Sequence, residues 1–241
     1  MFDSVALRAR LADIRERLSR AADRAGRDPA SVRLVAVSKT FSADHVRAAF
    51  DAGQSDFGEN KIQEALAKMA ATADLPIRWH HIGHLQSNKA RKAARFHTVH
   101  GIDRADLLHD VDKAARIDGV GPSLLIQVDL GNEATKFGAA PDTLPALLAA
   151  AADCQASRLV GLMTLPPAFD DPEGARPYFR RLRTLRDQFL GQGVRADRLA
   201  ELSMGMSHDF EVAVEEGATL VRVGSAIFGE RDYGAPVPDQ G

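Results

Sequence analysis

The chain has 241 residues, 45% of them apolar and 27% charged, which is ordinary for a globular protein. A formal charge of −2 and 6% aromatic residues argue against a dedicated nucleic-acid binder, which would carry a basic surplus or stacking rings. A single cysteine, Cys154, excludes an internal disulfide; no run is long and apolar enough for a membrane helix, and the N-terminus lacks a signal-peptide core, so a cytoplasmic location is expected.

Leu7, Leu11, Ile14 and Leu18 recur at helical spacing and predict an amphipathic helix at the N-terminus. Strand-like segments follow at 33–38, 56–59, 78–83, 98–101, 123–129, 160–164, 201–204 and 220–223. Helical patterns separate them at 43–52, 61–71, 88–96, 104–116, 141–152, 172–190 and 209–216. Strands that alternate with helices pair in parallel through right-handed crossovers. Eight strands, one helix before the first and none needed after the last, fit a single closed (β/α)8 barrel of the TIM type over 1–233. The segment 234–241, with Pro236 and Pro238, reads as a disordered tail. A doubly wound open sheet is the alternative. It is weakened by Ser38-Lys39-Thr40-Phe41, which stands where a Gly-x-Gly-x-x-Gly turn would follow the first strand.

Acting residues of such a barrel gather at the C-terminal ends of its strands. The chain prefers arginine, with seven lysines among 31 basic residues, and Lys39 alone ends a segment that reads as a buried strand. A desolvated amine loses part of its preference for the charged form, and a neutral amine attacks carbonyls. The plainer alternative is a lysine that snorkels from the strand end into water. Asn60 ends the second strand and Ser203 the seventh; Arg222 lies within the eighth, with Gly224 and Ser225 at its exit. Ser203-Met204-Gly205-Met206-Ser207 and Val221–Gly229 are apolar strands running into Gly and Ser, the composition of a phosphate cradle. Ser207 and Asp209 are candidate N-caps for the next helix. Closure makes the first and eighth strands neighbours, so the lysine and the cradle meet at one mouth.

LVAVSKT (34–40), FGEN (57–60) with Gln63-Glu64, WHHIGHLQSNK (79–89), SMGMSHD (203–209) and RVGSAIFG (222–229) together resemble the pyridoxal 5′-phosphate homeostasis proteins. That family is similar to the N-terminal barrel of alanine racemase, a fold-type III pyridoxal-phosphate protein, and the motifs cover essentially the whole chain. The resemblance implies a covalent internal aldimine between Lys39 and pyridoxal 5′-phosphate (PLP). It implies Ser203, Gly224 and Ser225 at the phosphate, Arg222 at the pyridine nitrogen, and Asn60 near the ring. An arginine there cannot give up a proton, so the ring stays a poor electron sink.

The expected role is therefore to buffer or deliver PLP to apo-enzymes as a monomer or weak dimer, without catalytic turnover. A low-activity PLP-dependent amino-acid racemase is the alternative, and a cofactor-free phosphate-binding barrel enzyme is another. Against racemisation, the sequence offers no room for a second domain, and its tyrosines, Tyr178 and Tyr233, lie in a helix and near the tail. His80, His81 and His84 invite a metal reading, but alternation puts His80 and His81 on opposite strand faces, so no metal is expected. His80 is expected to be partly buried and hydrogen-bonded. Lys136, after the fifth strand, reads as a solvated loop lysine, or else as a transient acceptor for the aldehyde or an anion contact.

Overall fold

A computed structural model describes residues 3–119, 121–131 and 137–229; Lys136, Tyr233 and the 234–241 tail lie outside the described residues. Eight parallel strands close into one barrel in sequence order. They are β1 (Arg33–Val37), β2 (Asp56–Glu59), β3 (Arg78–His81), β4 (Thr98–Ile102), β5 (Ser123–Gln127), β6 (Arg158–Met163), β7 (Glu201–Ser203) and β8 (Leu220–Val223). Closure is made by β1 and β8, paired from Arg33 with Leu220 to Ala36 with Val223. Most predicted strands ran one or two residues past these ends, because the apolar pattern continues into the loops of the mouth.

The helices are α1 (Ser4–Arg24), α2 (Ala43–Asp51), α3 (Ile62–Ala71), α4 (Ala90–Ala93), α5 (Ala105–Asp118), α6 (Leu144–Ala150), α7 (Arg176–Gly191), α8 (Phe210–Glu215) and α9 (Ser225–Phe228). Two differ from expectation in a way that matters. The 88–96 pattern forms only a 3-10 turn, Ser87–Lys89, and the short α4. The chain also coils again after β8, as α9, where no helix was anticipated.

Asp3 caps α1, its carboxylate accepting the N–H groups of Val5 and Ala6. The predicted stripe Leu7, Leu11, Ile14 and Leu18 is buried, each of these side chains worth about 1.5–3 kcal/mol. The helix packs on α2, α8 and α9. Arg10 Nε donates to the Ile227 carbonyl at 2.7 Å, and Arg27 Nη1 to the Val214 carbonyl at 2.6 Å. Thus α1 ties down the segment that follows β8.

Most of the apolar core lies between strands and helices. Inside the barrel Val35, Leu125, Met163 and Leu220 form a small separate apolar layer. The rest of the interior is polar: Asp56, His80, His100, Ser203 and Arg222 are all buried. Such groups are tolerated only when hydrogen-bonded to one another.

Candidate functional site

A cleft of about 380 Å³ opens at the C-terminal ends of the strands, within the range for small-molecule sites. Lys39 and Asn60 line it from the exits of β1 and β2, and Arg222, Gly224 and Ser225 from β8 and α9. Ser207 and His208 come from the loop after β7, while Val37, Ile82, Leu165 and Met206 supply apolar walls. Larger clefts exist, one of about 690 Å³ beside Trp79 and His97 and one of about 450 Å³ beside Cys154 and Arg198. Neither is lined by a lysine, and both lie toward the N-terminal ends of the strands, where barrels rarely carry chemistry.

Five of the six predicted residues thus meet at one mouth. Ser203 does not. It is fully buried in the barrel, where its Oγ accepts from Arg222 Nη1 at 2.5 Å and lies 2.8 Å from His100 Nδ1. Ser207 lies on the cleft instead, where its Oγ accepts the Gly224 N–H at 3.2 Å. The sequence held the signal: Ser203 is a strand residue alternating with Leu202, so it faces inward, whereas Ser207 lies beyond the strand end. Asp209 holds the Ser207 loop by accepting the Met206 N–H at 2.6 Å. It precedes α8 but makes no capping bond to it.

Below the cleft, one hydrogen-bond chain crosses the barrel. His100 Nε2 meets His80 Nδ1 at 2.9 Å, and His80 Nε2 meets Asp56 Oδ1 at 3.0 Å. Asp56 also accepts from Arg78, with Arg78 Nε at 2.8 Å. The guanidinium of Arg222 can only donate and the Asp56 carboxylate only accepts, which fixes every proton between them. Arg222 donates to Ser203, Ser203 to His100 Nδ1, His100 to His80 Nδ1, and His80 to Asp56. With burial keeping both imidazoles neutral, each is the Nε2–H tautomer. Burial lowers the pKa of each, and for His100 the fall is well below the usual histidine value. Burial would raise Asp56, but Arg78 and His80 overcome it and hold the carboxyl far below the usual range. His80 is thus hydrogen-bonded as expected, but fully rather than partly buried.

Arg222 Nη2 also donates to the Thr164 carbonyl at 3.0 Å. Two of its five N–H groups are spent beneath the cleft, which aims the guanidinium and leaves others for a ligand. Burial, opposed by Asp209, lowers its pKa to about 10, so it stays charged at neutral pH. The three histidines diverge. His80 faces the interior, His81 faces outward with its ring 5.4 Å from that of Phe96, and His84 stacks on Phe137.

A second cluster lies behind Lys39. Ser38 to Phe41 make a turn closed by the Phe41 N–H donating to the Ser38 carbonyl at 3.0 Å. Its third residue, Thr40, has φ 74°, a conformation that favours glycine or asparagine. Lys68 of α3 reaches this turn, donating from Nζ to the Ser38 carbonyl at 2.6 Å, to Glu59 at 2.6 Å and to Glu64 at 2.8 Å. Glu59 also accepts from Ser38 Oγ at 2.6 Å, and Glu64 accepts the Thr40 N–H. Burial pushes the Glu59 carboxyl up, against Lys68 and Ser38. The sequence singles out Lys39 at the end of a buried strand and puts Lys68 within the helical pattern 61–71. The structure buries Lys68 and leaves Lys39 half-buried on the cleft.

A parallel eight-stranded barrel with a strand-end lysine facing a buried arginine and two serine hydroxyls belongs to the class of the alanine racemase N-terminal domain, and the family model of that description matches residues 9–232. A Pseudomonas aeruginosa relative, the pyridoxal phosphate homeostasis protein, is 48% identical over 229 residues, 94% of this chain and 96% of its own length. The Aquifex aeolicus protein of the same name is 42% identical over 225 residues, 93% of this chain and 98% of that one. The structure of PipY from Synechococcus elongatus with PLP bound superposes with a TM-score of 0.81 at 40% identity, covering 92% of this chain and all of that one. The chain belongs to the pyridoxal phosphate homeostasis protein family.

Proposed function

We propose that the mouth of this barrel binds PLP, and that the chain buffers the cofactor and delivers it to apo-enzymes. The observation that carries this reading is the convergence of an amine, a buried guanidinium and two hydroxyls around one cleft whose remaining walls are largely apolar. That donor set suits the group: an aldehyde for Lys39, a ring nitrogen that can accept from Arg222, a phosphate for Ser207, Ser225 and the backbone at Gly224, and a flat ring between Ile82 and Leu165. Bound PLP supplies a reactive aldehyde and a conjugated ring. Lys39 would hold it covalently, the amine nitrogen replacing the aldehyde oxygen, which would leave as water. Asn60, on the cleft at the exit of β2, would lie beside the ring.

Arg222 gives no proton to the ring nitrogen, which supports storage over turnover. A cytoplasmic location and a monomeric or weakly dimeric state are parts of the same proposal. No helix among the described residues is long and apolar enough to cross a membrane.

One observation favours a second reading, a slow racemase. His208 lines the cleft, and its Nε2 lies 2.9 Å from the Asp170 carbonyl, which can only accept. With Nε2–H donating to that carbonyl, Nδ1 is the nitrogen left to accept a proton from a substrate.

Purified protein mixed with PLP should develop an absorbance band that borohydride abolishes, fixing the cofactor's mass on the Lys39 peptide. Lys39→Ala should lose the band yet keep weaker binding through the phosphate. A protein that stays colourless, or an adduct on another lysine, overturns the reading. Alanine racemisation near ordinary enzymatic rates, about 1–10³ per second, and lost in His208→Ala, would promote the second.

A further inference from the structure

The hydrogen bonds of the Lys68 cluster grip the chain on both sides of Lys39. On the near side Lys68 Nζ and Glu59 hold the Ser38 carbonyl and hydroxyl, and the Ser38 N–H donates to the Gly58 carbonyl at 3.1 Å. On the far side Glu64 accepts the Thr40 N–H. Glu59 ends β2 and is followed directly by Asn60, so the same cluster also fixes the second strand exit at the cleft. Thr40 is β-branched and sits at positive φ, a conformation that persists only when its surroundings impose it.

As a stabilising device the cluster is poor. It buries Lys68 and Glu59, and Glu59 Oε2 has no hydrogen-bond partner. A buried ion group with an orphaned oxygen costs stability relative to well-packed apolar side chains. Its contacts instead fall on the residues either side of the amine. We propose that Glu59, Glu64 and Lys68 are positioning residues that clamp the Ser38–Phe41 turn and so aim the Lys39 amine at the aldehyde carbon. This rests on Lys39 as the amine that holds PLP. The clamp acts on the angle and distance of one bond-forming atom, so its loss falls on covalent capture and spares recognition of the phosphate and ring. A misplacement of about 1 Å costs up to about a hundredfold in such a step.

The test uses the full chain and two probes: PLP, which carries the aldehyde, and pyridoxine 5′-phosphate, which has an alcohol in its place. In Lys68→Met and Glu64→Ala, borohydride trapping on the Lys39 peptide should slow by about ten- to a hundredfold. The affinity for pyridoxine 5′-phosphate should stay within about twofold. Glu64→Gln keeps an oxygen for the Thr40 N–H and should restore most of the trapping rate; it also serves if Lys68→Met fails to fold. Unchanged trapping in folded Glu64→Ala, or an equal loss for both probes, overturns the proposal. A wild-type chain that binds both probes but traps nothing on Lys39 would instead remove the reading beneath it, which is a separable result.

Discussion

The polar chain inside the barrel and the ion cluster behind β1 are both buried, but they are built on different terms. From Arg222 to Asp56 each interior donor finds one acceptor, all protons run one way, and the two charged ends lie on opposite sides of two neutral imidazoles. The cluster behind β1 crowds one ammonium against two carboxylates and leaves Glu59 Oε2 unsatisfied. A complete network fixes a barrel interior at little cost; an incomplete one persists where it holds a piece of chain that would otherwise relax. The first is therefore expected to govern stability, the second the geometry of Lys39.

Substitutions at the interior chain should show the largest stability effects. Asp56→Ala strips the terminal acceptor from His80 and Arg78 and should cost about 3 kcal/mol in a urea unfolding experiment. A loss under about 1 kcal/mol would mean that the chain relaxes easily and the comparison fails.

Acid should single out the buried histidines at similar size. Burial holds His81 at about 4, against 6.5 for an ordinary histidine. Between these values the unfolded chain carries the extra proton, so stability falls as the pH drops from 6.5 toward 4. The linkage amounts to at most about 3 kcal/mol for this ring. His80 and His100, lowered in the same direction, add to the slope. Urea midpoints measured from pH 7 to 4.5 should decline steadily, and His81→Phe should flatten part of the decline.

Ser203 and Ser207 sharpen the contrast with a smaller effect each. Ser203→Ala leaves Arg222 and His100 facing each other without the hydroxyl between them, a loss of about 1–3 kcal/mol of stability. Ser207→Ala should leave stability within about 0.5 kcal/mol and weaken PLP binding by about 1.5–3 kcal/mol. Reversed results would put the phosphate deeper in the barrel than the cleft lies. Smallest of all, Thr40→Gly removes a left-handed penalty of about 1–2 kcal/mol and adds about 0.5–1 kcal/mol of chain entropy cost. The net change in melting should be slight, while covalent capture slows if the clamp needs a stiff turn.

Sequence pattern reached the barrel because short strand-like runs alternating with helical ones are local properties, and β2 and β8 have the bounds expected of them. It missed α9, since four residues hold barely one helical turn and show no periodicity. The burial of Lys68 has no local signal for a different reason. Glu64 and Lys68 at i and i+4 on a helix look like a solvated pair, and nothing local says that α3 lays that face on the turn after β1. Ser203 at the phosphate is what the family resemblance implies, whereas strand alternation turns its side chain into the barrel interior. Residues that line the mouth from other loops, such as His208 and Leu165, have no signature until the barrel closes.

The site is shared between the two ends of the chain. Lys39 leaves the first strand; Arg222, Gly224 and Ser225 belong to the last, and they meet only when β8 pairs with β1 beside Ala36 and Val223. While the chain is still being synthesised, the amine has been made but the arginine that would seat the ring has not. Seam closure, the pairing of greatest sequence separation in the barrel, is expected to come late in folding. On the proposed function, a nascent or prematurely terminated chain would have no cleft with which to take up a reactive aldehyde, and capture would be reserved for finished molecules.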